Sequence, residues 1–108
     1  MCTSRHDSNT IAPERCETME QVRAGVDHTD RLLMALLERR FGYMRAAARI
    51  KERRDAVRDE ARKAQVIANA RQDAIGRGVP DDCVAAMWDV LVESSIAYEM
   101  EEWDRIRR

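Results

Sequence analysis

The sequence is poor in aromatic residues and in the residues that make tight turns. Aromatic residues account for 5% of its 108 residues, and it contains four glycines and two prolines. An all-β fold needs aromatic and β-branched strands separated by frequent turns, so this composition argues against one. A charged fraction of 36% beside an apolar fraction of 44% is typical of long helices with one solvated face. We therefore expect a single all-α domain, because so short a chain cannot bury two cores.

The sequence also lacks a surplus of basic charge, a cysteine framework and a long apolar run. Nineteen basic and twenty acidic residues give a net charge of −1, which argues against a nucleic-acid partner. Three cysteines without regular spacing predict neither disulfide cross-links nor a zinc site. No apolar stretch of about 20 residues could span a bilayer, and the polar start MCTSRHDSNTIAPER is unlike a signal peptide. We expect a cytoplasmic protein that binds neither membrane nor metal.

The periodicity of the apolar residues predicts three helices in the order long, short, medium. Residues 1–14 are polar and are predicted to form a disordered tail, followed by a helical domain over residues 15–108. From about residue 17 to 51, apolar residues recur at three- and four-residue steps, which predicts one helix of about 35 residues. Two shorter helices cannot cover so long an apolar stripe. We therefore expect a homodimer in which a second chain covers it.

Capping signals predict where the two shorter helices begin and end. The charged residues 52–58 predict a loop, and Asp59 is suited to begin the second helix as its N-cap. Two glycines in residues 76–78 predict its end. Pro80 or Asp81 is predicted to begin the third helix, which continues nearly to the C-terminus.

Five polar residues lie beside the apolar stripes and are candidates for binding a ligand: Arg23, Arg40, Lys51, Ser95 and Glu99. Each also has a structural explanation, because an arginine beside a stripe commonly lays its stem on the core with its head in water. Arg40 and Lys51 are 11 residues apart, which places them within about 20° of one helix face and about 16 Å apart. Their long side chains could converge on one small molecule. Arg23 is about 25 Å from Arg40, so it could join only from another protomer.

The same residues carry a resemblance to a known family. Arg23, then Arg40 within LLERR, then Lys51 have the spacing of the first-helix signature of all-helical chorismate mutases, and the text VRAGVDHTDRLLMALLERRFGYMRAAARIK resembles it. The motif VRD at residues 57–59, with Arg62, resembles that family's second-helix start. The stretch SSIAYEMEEW at residues 94–103 resembles the end of the subgroup that contains isochorismate-pyruvate lyases. The resemblance covers about residues 19–105.

This resemblance implies a pericyclic enzyme without a cofactor, folded as an intertwined homodimer with two shared active sites. Arg40 and the partner chain's Arg23 would bind the two carboxylates of a small dicarboxylate substrate. Lys51 would lie at the ether oxygen and a carboxylate. Such chemistry needs no nucleophile or metal, only a held reactive conformer and a cation where charge develops.

By the same resemblance, Asp59 and Arg62 would lie near the ring hydroxyl and the enolpyruvyl side chain, and Ser95 would flank the ring carboxylate. Glu99 stands opposite the ether oxygen, where many members have Gln. An ionised Glu99 would repel the developing charge, so it must carry a proton to help. We therefore expect activity to fall as the pH rises. Lys63 stands where typical mutases have a Glu that contacts the ring hydroxyl, which leaves chorismate and isochorismate open as substrates.

Three functions remain open on the sequence. The first is chorismate mutase, which converts chorismate to prephenate. The second is isochorismate-pyruvate lyase, which gives salicylate and pyruvate and would use the same arginine clamp. The third is a non-catalytic helical dimerisation module whose arginines are solvated. The position of Arg40 and Lys51 beside the apolar stripe favours an enzyme.

Overall fold

A computed structural model describes residues 10–108, and within this range helices are the only regular secondary structure. Three α-helices follow one another: α1 (Met19–Ile50), α2 (Glu60–Arg77) and α3 (Asp81–Ile106). Short 3-10 turns at Pro13–Arg15 and Arg54–Ala56 precede α1 and interrupt the loop before α2. The predicted all-α class and the predicted order of long, short and medium helices are confirmed.

Reciprocal capping sets the start of α1. The Thr18 hydroxyl accepts a hydrogen bond from the backbone N–H of Gln21 at 3.1 Å. In return, the Gln21 side-chain carbonyl accepts from the backbone N–H groups of Thr18 and Glu17, at 3.2 and 2.7 Å. This capping box satisfies N–H groups that have no partner inside the helix. From there α1 continues for 32 residues, or about 48 Å.

The ends of α2 follow the predicted signals. Asp59 is the N-cap, and its carboxylate accepts from the backbone N–H of Arg62 at 3.0 Å. At the other end Gly78 has a φ of 71°, a left-handed conformation that glycine adopts without steric cost. The backbone N–H of Val79 then donates to the Ala74 carbonyl at 2.9 Å, which closes the last turn. Pro80 is the residue that precedes α3.

The chain divides into two compact units, one ending at Arg40 and the other comprising Phe41–Arg108. The boundary falls within α1. In the second unit α2 packs against α3. All of the buried apolar residues among those described belong to this unit, and they are small: Ala48, Val57, Ala74, Ala85 and Val92.

In the first unit, α1 leaves large apolar side chains uncovered within the single chain. They are 47–66% exposed and comprise Val26, Leu32, Leu33, Met34 and Leu36. The predicted disordered tail, residues 1–14, falls mostly on residues 1–9, which lie outside the described range. Within residues 10–108, no helix combines the length and apolar character that crossing a bilayer requires.

Candidate active site

Two polar residues are buried in the part of the chain that the structure describes, and both belong to α3. Ser95 is 3% exposed and Glu99, one turn later, is 4% exposed. Both were predicted as candidate ligand-binding residues from their place beside the apolar stripe. A buried carboxylate is unfavourable unless a cation or several hydrogen-bond donors face it. The groups around Glu99 therefore show how its charge is compensated.

The cation that faces Glu99 is Lys51, the first residue after α1. Its ammonium nitrogen lies 2.8 Å from Glu99 Oε2, and its side chain is 30% exposed. The ammonium also donates to the Val57 carbonyl at 3.5 Å. Although the Lys51 charge is close, no donor among residues 10–108 points at Glu99 Oε2 with hydrogen-bond geometry. The contact is therefore an ion pair. The nearby Lys51 ammonium compensates the negative charge of Glu99, but it does not form a directed hydrogen bond to Oε2.

The backbone of Lys51 is held as well as its side chain. The indole N–H of Trp103 donates to the Lys51 carbonyl at 3.0 Å. The guanidinium of Arg107 donates to the same carbonyl at 2.7 Å and to the Ala48 carbonyl at 3.0 Å. Neither contact was predicted from the sequence. A helix end always leaves carbonyls in need of donors, but the sequence does not indicate which distant side chain supplies them.

Three further predicted residues have structural partners in the second unit. The Ser95 hydroxyl donates to the Leu91 carbonyl of its own helix at 2.7 Å. Asp59 caps α2, and the Arg62 guanidinium donates to the Gln65 side chain at 2.7 Å. The predicted roles of Ser95, Asp59 and Arg62 in binding substrate stay predictions. Among residues 10–108, no three His, Cys, Asp or Glu side chains are grouped as a metal site would need.

The two predicted arginines of α1 belong to the first unit. Arg23 is exposed and Arg40 is half-buried. Both lie on the helix that carries the uncovered apolar side chains. Their predicted role as carboxylate ligands stays a prediction.

Residues 22–100 match the family of type II chorismate mutases. The chain belongs to this family. The match includes every predicted site residue, from Arg23 to Glu99, but it ends before Trp103 and Arg107. The comparison with curated proteins gives no match. Membership of the chorismate mutase family supports an isomerase, and it does not distinguish this activity from isochorismate-pyruvate lyase.

The second residue at which the sequence resemblance to chorismate mutases is imperfect, besides Glu99, is Lys63. Its ammonium contacts Glu93 at 2.7 Å and Asp89 at 3.2 Å. Glu93 precedes Glu99 by six residues on α3, which places them about 120° apart around the helix. Lys63 is therefore engaged on a different face of α3 from the one that holds Lys51.

Glu93 is the centre of a charge cluster that joins α2 and its preceding loop to α3. Arg58 donates two hydrogen bonds to its carboxylate, at 2.8 and 3.1 Å, and Lys63 donates a third. These two cations, Arg58 above all, lower the pKa of Glu93 to about 2. A second ion pair joins Arg54 to Asp104 and lowers the pKa of Asp104. Together these pairs anchor the loop that follows Lys51.

Proposed function

We propose that this chain is a chorismate mutase that rearranges chorismate to prephenate without a cofactor. The observation that carries the proposal is the Lys51 ammonium held 2.8 Å from the buried Glu99 carboxylate. These two residues are the ones that the family resemblance assigns to the ether oxygen of the substrate. Family membership over residues 22–100 supports the same reaction.

The chemistry suits this set of side chains. The rearrangement is concerted, so the protein has to hold one reactive conformer and stabilise charge as the carbon–oxygen bond breaks. Arg40 and Arg23 would each bind a carboxylate with two parallel hydrogen bonds, which fixes a flexible diacid. Lys51 would supply a compact cation at the ether oxygen, where negative charge develops only in the transition state.

The proposed active form is a homodimer in which each site takes Arg23 from the partner chain. The uncovered apolar face of α1 supports this, because monomeric proteins rarely expose a large continuous apolar patch. A second α1 packed side by side would cover it. Arg23 lies on the same helix, so a dimer built on this face would bring the arginine of one chain to the other.

The pairing of Lys51 with Glu99 bears on how the reaction responds to pH. While Glu99 is ionised it offsets part of the Lys51 charge and repels the ether oxygen as that atom becomes negative. A protonated Glu99 would instead donate a hydrogen bond to it. We therefore expect kcat/KM of the parent to fall with rising pH, and that of Glu99→Gln to depend on pH much less. A parent profile that stays flat from acid to alkaline pH would contradict this role.

Purified protein supplied with chorismate and isochorismate in turn tests the proposed function. Loss of chorismate absorbance identifies the mutase, and salicylate fluorescence identifies the lyase, the second candidate, which the resemblance of residues 94–103 favours. Arg40→Ala should abolish turnover by removing a carboxylate ligand, whereas Arg39→Ala, one residue away on the same helix, should retain it. A parent that turns over neither compound would leave the third function, a non-catalytic dimerisation module.

Two further variants test individual roles. Lys51→Ala should lower kcat more than it raises KM, because its cation acts on the transition state. Normal turnover by Lys51→Ala would show that the assignment is wrong. Mixing Arg23→Ala and Arg40→Ala chains tests the shared site, since a heterodimer would regain one intact site of two. Inactivity of the mixture at every ratio would contradict the sharing.

A further inference from the structure

We propose that Trp103 and Arg107 are positioning residues that set the place of the Lys51 ammonium for the reaction. This inference rests on the proposed function, because it assigns to Lys51 the cation of the active site. Both residues lie beyond the residues 22–100 that match the family. The assignment therefore comes from the contacts of this chain.

The two side chains complete the C-terminal end of α1. That helix ends at Ile50, and the backbone N–H of Lys51 still donates to the Ala47 carbonyl at 2.9 Å. The carbonyls of the last turn have no partner within the helix. Trp103 and Arg107 donate to the Lys51 carbonyl at 3.0 and 2.7 Å. Because the C-terminal end of a helix is the negative end of its dipole, the Arg107 cation is also favoured there by charge.

Arg107 and Trp103 act as one unit. The guanidinium carbon of Arg107 lies 4.2 Å from the centre of the Trp103 ring, within the range of a cation–π contact. The same guanidinium reaches the Ala48 carbonyl at 3.0 Å, one turn before Lys51. Ala48 is fully buried, so this second hydrogen bond connects Arg107 to the core. A change at either residue should therefore disturb the other.

Residues of α3 and of its C-terminal end contact Lys51 both at its side-chain ammonium and at its backbone carbonyl. Glu99 and Trp103 are four residues apart on one face of α3, and Arg107, the residue that follows the end of the helix, is four residues beyond Trp103. Glu99 contacts the ammonium, while Trp103 and Arg107 contact the carbonyl. The lysine side chain therefore starts from a fixed backbone and ends on a fixed carboxylate. Loss of the backbone contacts should let the ammonium move although every residue of the proposed site is still present.

Such a movement should appear in kcat more than in KM. The arginines that would bind the carboxylates are untouched, whereas a displacement of about 1 Å of a catalytic group can lower the rate up to about 100-fold. We expect Trp103→Phe, which removes the N–H donor and keeps a ring, to lower kcat about tenfold with KM within about twofold. Arg107→Gln should lower kcat about threefold, because Arg107 is exposed and Trp103 is half-buried.

The matched control is Trp88→Phe. Trp88 is the other tryptophan of the chain, it is also half-buried, and it lies on α3 about 22 Å from Trp103 along the axis. The same exchange of indole for phenyl at that position should leave kcat within about twofold of the parent. Arg107→Gln serves as the second test variant if Trp103→Phe proves unstable, since an exposed arginine can be replaced without opening the core.

A second measurement reads the position of Lys51 without any turnover. The chain contains only two lysines, Lys51 and Lys63, so selective ¹⁵N labelling of lysine yields two side-chain ammonium signals in an NMR spectrum. In Trp103→Phe and Arg107→Gln the chemical shift of the Lys51 ammonium should change. The shift of the Lys63 ammonium, which is paired with Glu93, should stay the same. In Trp88→Phe both signals should stay in place.

The Lys51 signal and kcat together test the positioning role, and a change in only one of the two would contradict it. A shifted Lys51 signal together with the loss in kcat supports the positioning role. A lowered unfolding midpoint with an unchanged Lys51 signal and unchanged kcat would overturn it, because the two residues would then only stabilise the fold. If the parent fails to turn over chorismate, the proposed function fails, and the Lys51 signal alone then decides whether Trp103 and Arg107 set the ammonium.

Discussion

Replacing Lys51 with Met removes the cation that lies 2.8 Å from the Glu99 carboxylate and keeps most of the length of the side chain. Breaking a buried ion pair by removing one partner typically costs about 3–5 kcal/mol, because the other charge is left buried and uncompensated. Glu99 fits that description at 4% exposure, but Lys51 is 30% exposed, so water reaches one side of the pair. We therefore expect Lys51→Met to lower the free energy of unfolding by about 2–3 kcal/mol.

The opposite replacement should cost much less. In Glu99→Gln the amide keeps the shape of the carboxylate, and the Lys51 ammonium that remains can be solvated and still donates to the Val57 carbonyl. We expect a loss of about 1 kcal/mol, the size of one ordinary hydrogen bond. The double variant Lys51→Met with Glu99→Gln should be more stable than the sum of the single losses predicts, by about 2 kcal/mol, since no buried charge remains.

Urea unfolding at pH 7 and one fixed protein concentration measures all four proteins. With a slope of about 1–2 kcal/mol per molar urea, the Lys51→Met midpoint should fall by about 1–3 M and the Glu99→Gln midpoint by half as much or less. Equal losses in the two single variants would refute the reasoning, because they would mean that burial of Glu99 carries no penalty of its own. Strict additivity in the double variant would also refute it.

Three further predictions concern the rest of the fold. Because the pKa of Glu93 is lowered to about 2, its carboxylate stabilises the fold above its ordinary pKa of 4.5, and this contribution disappears as the pH falls towards 2. The difference in urea midpoint between the parent and Glu93→Gln should therefore shrink from about pH 5 down to about pH 2, and a constant difference would contradict it. Asp59→Ala should lose about 1 kcal/mol in the same assay by removing the N-cap of α2, and Asp59→Asn should retain most of it. Gly78→Ala should lose about 1–2 kcal/mol because its φ is 71°, whereas Gly76→Ala, within α2, should be neutral or stabilising.

The helices could be predicted from the sequence because their signals are local. The amphipathic pattern predicted α1 over about residues 17–51, and the structure has it over Met19–Ile50. Asp59 and Gly78 were recognisable as an N-cap and a C-terminal stop because each acts on backbone groups a few residues away. The 3-10 turn at Arg54–Ala56 was not predicted, since the charged residues of that loop carry no pattern that distinguishes a turn from an irregular segment.

The site could be predicted only in part. The rule that selected polar residues beside an apolar stripe found Ser95 and Glu99, the two buried polar residues of the described chain. It could not pair Glu99 with Lys51, because 48 residues separate them and only the folded chain brings them together. Trp103 and Arg107 were missed for a different reason. A tryptophan in an amphipathic helix is usually core, and an arginine near a terminus is usually solvated.

The uncovered apolar side chains of α1 have a consequence for how this protein behaves on dilution. In the two-chain arrangement proposed above, both the cover of this face and the second arginine of each site depend on mass action. Specific activity would then decline as the enzyme is diluted, and the thermal midpoint would decline with it. The total reaction rate would thus rise more than linearly with protein concentration in the range where the dimer dissociates.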